Sequence, residues 1–236
     1  MKYRMTDETI EVDGHILHRI EALTDIPVVG VMAGRIEALT GIPYARVKAG
    51  DKGGFIESED NLSQEGNCWV DDNAKVSEDA RVSGNARVFG DARVFGDARV
   101  FGAAQVYENA QVYDNAQVYD NALVFSDAHI YGDAVVSGNA EVSGNAKVTD
   151  NVWVTDNVWV SGNAQVSGNA WVTDNAVVSG NAWVSGNAWV SGAAHVYDDA
   201  CVYGNAEVSG NARVSGNADV GGNAVVSEFA RVSGNS

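Results

Sequence analysis

Four histidines, two cysteines and 32 carboxylates are the residues of this 236-residue chain that could carry acid–base, nucleophilic or metal chemistry. Their placement does not assemble a site. His129 and His195 each sit between a small residue and an aliphatic one, with no recognisable motif that would fix an acidic orienter beside them. His15 and His18 lack a metal-ligand constellation, and Cys68 and Cys201 lie far apart in the chain. Aspartates recur at regular intervals and could collect cations, but not in the Gly-Gly-x-Gly-x-Asp calcium nonapeptide. No catalytic, cofactor-binding or metal-binding residue is therefore assigned, and the chain reads as a non-enzyme. Ice binding would need flat threonine arrays, and Thr149, Thr155 and Thr173 are too few.

Binding chemistry is better represented. Trp153, Trp171 and Trp189 recur evenly, three six-residue steps apart, and Trp159 and Trp183 fall between them on the same six-residue grid. Exposed large apolar residues in a row mark contact surfaces, and Trp is an enriched interface anchor. Lateral self-association or a protein partner is the expected use; a carbohydrate platform is the lesser reading, and mutual stacking that stiffens the sheet is the structural one. Phe89, Phe95, Phe101, Tyr107, Tyr113, Tyr119, Phe125 and Tyr131 form a second band, with one ring at each step of the same grid. That band has no preferred side, so cross-strand stacking is expected rather than a binding collar. Arg81, Arg87, Arg93 and Arg99 lie beside its start, where they can place guanidinium groups over the rings.

The element that positions these residues is a six-residue phrase, essentially Asn-Ala-x-Val-Ser-Gly, running from Cys68 to Asn235 without insertion or deletion. There are about 28 copies, and such a short perfect period is the mark of a solenoid whose repeats bury their apolar side only against neighbours. Ala and Val are two residues apart, so in an extended strand both point inward. The residues flanking Val point outward, and Gly or Asp followed by Asn makes the bend. Gly, Asn and Asp are the residue types that tolerate positive φ. Ala103, Ala193 and Phe229 alone replace Asn or Asp at the second bend position, and their separations are whole multiples of three hexads. Three hexads per coil is thus the expected period, giving about nine coils and a rod of roughly 45 Å at the ~4.8 Å strand spacing. Its interior is a column of Val and Ala with no room for an internal ligand.

The hexad resembles that of left-handed parallel β-helices, three hexads to a triangular coil, and the left hand is carried by that resemblance alone. Acyltransferases with this repeat depend on loops that break the coil and on a histidine at a subunit cleft. No loop interrupts the hexads here, so a degenerate acyltransferase relative is the least favoured reading.

Residues 1–67 read as an N-terminal cap, α/β or irregular, ahead of a β-helix at 68–236. Within it 19–34 and 35–50 are a direct duplication, matching at 11 of 16 positions. Ile56 and Leu62 are one hexad apart, so an irregular first coil is expected near Phe55. The run Gly53-Gly-Phe-Ile-Glu-Ser to Gly66-Asn-Cys-Trp-Val resembles the N-terminus of a bacterial, phage-associated family of left-handed β-helix proteins with no assigned activity. That resemblance implies a fold and a cap, and raises a second reading in which the acidic rod is a phage-related decoy or binding module for a host protein. The repeat stops in mid-pattern at Ser233-Gly-Asn-Ser236, from which an uncapped last coil is expected, either frayed and solvated or paired end to end with another copy.

The net charge of −17 disfavours direct nucleic-acid binding, which rests on basic side chains. No stretch approaches the ~18 apolar residues of a membrane span, and Met1 to Glu8 contains no apolar signal core. Two scattered thiols fit a reducing compartment, so a cytoplasmic location is expected.

Overall fold

In a computed structural model, which describes residues 1–27 and 47–234, the chain is an all-β parallel solenoid with three hexads to each coil. Most of the duplicated 19–34 and 35–50 units, and the final two residues, lie outside the described residues.

Three strands come first: β1 (Tyr3–Val12), β2 (His15–Ala22) and β3 (Lys52–Ile56). Twenty-eight short strands follow, from β4 (Trp69–Val70) to β31 (Arg231–Ser233), one per hexad. They stack into three faces. The first holds β1, β2 and β3 and then every third strand from Lys75–Val76 to Asp219–Val220, twelve in all. The second has ten strands from Trp69–Val70 to Arg231–Ser233, and the third nine, from Arg81–Val82 to Val225–Val226. Within each face every Val stacks on the Val three hexads further along, as in Val154↔Val172.

A two-residue strand is too short to hold itself, and the hydrogen bonds show what does. Trp153 N–H donates to Ala170 O (3.1 Å), Thr155 to Val172 O (3.0 Å) and Asn157 to Asp174 O (2.8 Å), so the ladder continues through the corner. The core is the predicted column of Val and Ala, fully buried along most of its length, with Val152 and Val158 fitting in Ala positions. Each buried Val contributes roughly 1.5–3 kcal/mol, but only when a neighbouring coil covers it.

The corners differ from expectation. Positive φ falls on the first bend residue, Gly or Asp, while the second, Asn, does not adopt it. The Asn instead builds amide ladders. Asn139 Nδ2 donates to Asn157 Oδ1 (3.0 Å), and Asn157 Nδ2 to Asn175 Oδ1 (3.2 Å); Ala103 and Ala193 interrupt that column. Acids at the first position staple the next coil: Asp114 Oδ2 accepts from Gly132 N–H (3.1 Å) and Asp150 Oδ2 from Gly168 N–H (2.9 Å).

In the described part of the cap β1 and β2 form an antiparallel hairpin, and the helical structure expected of an α/β cap is there limited to the short 3-10 turn Glu59–Asn61. Asp13 and Gly14 both have positive φ (52° and 89°), the requirement of the tight hairpin turn. β2 pairs antiparallel with β3, and β3 pairs parallel with Lys75–Val76, so the hairpin extends the first face. Parallel pairing thus begins at Phe55, and Leu62 bridges to Val82 in the irregular first coil. Gly53 explains the Gly-Gly run: a Cβ there would lie 2.5 Å from Val70 O and 2.6 Å from the Trp69 ring. Tyr3 is buried with its hydroxyl donating to Leu62 O (2.6 Å) and its ring edge-on to Trp69 at 6.4 Å. Burial pushes its phenol well above the usual value.

Candidate interaction surface

The third face holds the tryptophan column. Trp153, Trp171 and Trp189 occupy consecutive strands in register and are 42%, 49% and 50% exposed, half of each indole facing solvent. Trp153 and Trp171 stack at 5.5 Å with 16° between planes; Trp171 and Trp189 meet edge to face at 6.5 Å. Trp153 and Trp171 thus cover each other's ring faces, whereas in the upper pair the edge of one indole meets the face of the other. None of these three indole N–H groups donates a hydrogen bond within the described residues.

Trp159 and Trp183, equally exposed, sit on the other two faces and are anchored. Trp159 Nε1 donates to Glu141 Oε2 (2.6 Å) and Trp183 Nε1 to Ser167 Oγ (3.3 Å). The five tryptophans thus divide into a column of three and two single residues, which the fold does not bring together.

Beneath the column Val135 is largely buried, with Gln117 and then Arg99 and Arg81 continuing down the face. Above it are Glu207 and the exposed Val225. Alongside runs a polar track: Thr173 Oγ1 donates to Asp156 Oδ2 (2.7 Å), which also accepts from Thr155 (3.3 Å). These bonds hold the Asp156 carboxyl below its usual range.

The aromatic band resolves into three separate stacks. Phe89, Tyr107 and Phe125 are parallel at 4.8 and 5.0 Å on the second face. Phe95, Tyr113 and Tyr131 repeat the arrangement on the first face at 4.8 and 4.9 Å, and Phe101 with Tyr119 on the third at 4.8 Å. The centroid spacing is the strand spacing, so each ring lies flat on the one below. Tyr107 is buried, which removes one member of the band from any outward collar.

Arginine placement beside the band differs from expectation. Arg93 reaches over Phe95 at 5.2 Å and pairs with Asp13 of the hairpin turn. Arg87 pairs with Asp71 at 3.2 Å, and burial disfavours the charge on both partners. Arg81 and Arg99, both on the third face, form no ion pair within the described residues.

The residues that could do chemistry stay apart. His129 meets Tyr113 edge-on at 6.2 Å and burial lowers its pKa. His15 Nδ1 lies 2.9 Å from Glu57 and its Nε2 4.0 Å from Glu78, which ties the hairpin to the first coil. Lys2, nearly buried, donates from Nζ to Cys68 O (2.9 Å) and Sγ (3.2 Å), and burial pushes the Cys68 thiol up. The open hollow beside Lys2, about 280 Å³, is lined by Thr24, Ile26, Gln64 and Asn67. Among the described residues no group of three metal-ligating side chains occurs, and no helix is long and apolar enough to cross a membrane.

No curated protein matches the chain. A model of the YdcK beta-solenoid repeat matches residues 80–94, 92–108, 116–129 and 164–180, roughly a quarter of the sequence and all of it within the hexads. Over those stretches the chain is similar to that repeat, so sequence comparison and three-dimensional structure both place it among repeat β-solenoids.

Proposed function

We propose that this chain is a non-catalytic structural or scaffolding rod whose working surface is the tryptophan column of the third face. What carries the reading is the state of Trp153, Trp171 and Trp189: half-exposed indoles, in register, whose N–H groups donate to no side chain among the described residues. Such a strip loses its exposed apolar area and gains hydrogen-bond partners when a protein surface covers it. The stacked rings of Trp153 and Trp171 argue against a carbohydrate platform at that pair, because a sugar stacks on an aromatic face and these two faces already cover one another. An acidic decoy is less well supported. Corner carboxylates such as Asp114 and Asp150 are engaged by amides of the next coil, and the rest are spread over three corners.

Light scattering on the parent, Trp171→Ser and Trp189→Ser chains tests the proposal. Association in the parent that is weakened in both variants supports it, and an identical monomer in all three removes lateral association. Acyl-CoA leaving the thermal transition unmoved is the expected result for a rod without an active site.

A further inference from the structure

We infer that the occupant of the third face is a second copy of this chain, laid antiparallel against the first with a twofold axis along the strand Trp153–Val154. The inference rests on the tryptophan column being an association surface, and it adds the partner and the register.

The face has nine strands, so Trp153–Val154 is its middle one. Its two halves are unlike in charge. Three strands below the middle is Arg99 and four below is Arg81, the two arginines of the Arg81–Arg99 run that have no ion pair among the described residues; Arg87 and Arg93, on the other faces, are both paired. Three strands above the middle is Glu207, whose carboxylate meets only the Ser209 hydroxyl (3.2 Å) among the described residues. Inverting the rod about its middle strand brings each strand above the centre against its counterpart below. Glu207 of each copy then meets Arg99 of the other, so the pair forms twice, once at each end. A parallel arrangement would set Arg99 against Arg99 and Glu207 against Glu207, which is repulsive.

Bulk complements in the same register. Trp171 falls against Val135, which is low and buried, and Trp189 against Gln117. In the neighbouring column Tyr119 and Phe101 face Ser191 and Ser209. Trp171, Tyr119 and Phe101 thus meet smaller side chains, while Trp153 meets its own copy on the axis. The area suffices: nine strands at ~4.8 Å and about four residues across at ~3.3 Å give roughly 560 Å² per copy, or about 1,100 Å² in total, near the lower bound for a specific interface.

Sedimentation velocity on the full chain decides the matter. The parent should dimerise, and Arg99→Glu and Glu207→Arg should each weaken the dimer by on the order of tenfold or more, since each change acts at both ends. The double variant, which restores opposite charges, should recover most of the parent affinity, and circular dichroism should report the same fold throughout. Charge variants that dimerise like the parent, a double variant that fails to recover, or a monomeric parent would each overturn the inference. Where Trp171→Ser weakens association and the charge variants do not, the antiparallel register falls while the tryptophan surface stands. Where neither class of variant alters the mass, both fall.

Discussion

At the corner the first bend residue packs closely against the backbone one coil above. A Cβ on Gly138, whose φ is 69°, would sit 2.6 Å from the Asp156 amide nitrogen. Gly138→Ala should therefore cost about 1–3 kcal/mol in urea unfolding. Gly138→Asp should cost less, because acids at this position recover stability by accepting the next coil's N–H, as Asp120 does from Gly138 itself at 3.2 Å. His15 supplies a second prediction at this scale. Its hydrogen bond to Glu57, reinforced by that charge, raises its pKa, while the same bond lowers that of Glu57. Stability from the raised His15 is fully present below the unfolded histidine value and is lost as pH rises through the folded one. Stability from the lowered Glu57 is present above the ordinary carboxylate value and is lost as pH falls through the depressed one. Protection factors for the His15–Ala22 amides, corrected for intrinsic exchange, should thus be highest in the mildly acidic window between, and a flat profile of protection would exclude the pair as a tie between hairpin and coil.

Among the elements, the asparagine ladder and the hairpin have different standing. Asn157 both donates to and accepts from its neighbours, yet the same column is already broken at Ala103 and Ala193. Asn157→Ala should therefore cost only about 1 kcal/mol, a small shift in the thermal midpoint with no loss of strand content. The hairpin is legible in the sequence once its turn is recognised. Asp13-Gly14 between two alternating runs is a strong short-range hairpin signal, and helix-compatible composition in the early residues obscures it. Its placement on the first face could not be read, because the Gly53 approach to Val70 and Trp69 and the Arg19 guanidinium over Phe55 at 4.1 Å join residues remote in sequence.

For the whole molecule, the three faces are held in line only by the count of hexads. Deleting 139–144 removes one hexad, preserves the core pattern and moves every later strand round by one face. Trp153 would then stack over His129 and in line with Arg93 rather than Arg99. That variant should keep its strand spectrum and lose association. Deleting 121–138 removes one full coil, leaves every face aligned and keeps Arg99 and Glu207 equidistant from a new centre, so it should still associate. Equal behaviour of the two deletions would show that face alignment has no part in assembly.

The sequence by itself determined the solenoid, the three-hexad coil, the Val and Ala interior and the tryptophan column, because each follows from a strict period and each residue's place in it. The stacking of the aromatic band was likewise implied by spacing. Tertiary structure alone decided which arginines are neutralised. Arg81, Arg87, Arg93 and Arg99 are equivalent in the repeat, yet Arg87 finds Asp71, Arg93 finds the hairpin's Asp13, and the two on the third face find no ion-pair partner among the described residues. A periodic sequence specifies equivalent positions, and what makes them physically different is the neighbour each one meets: the hairpin turn that extends the first face for Arg93, and Asp71 of the coil below for Arg87.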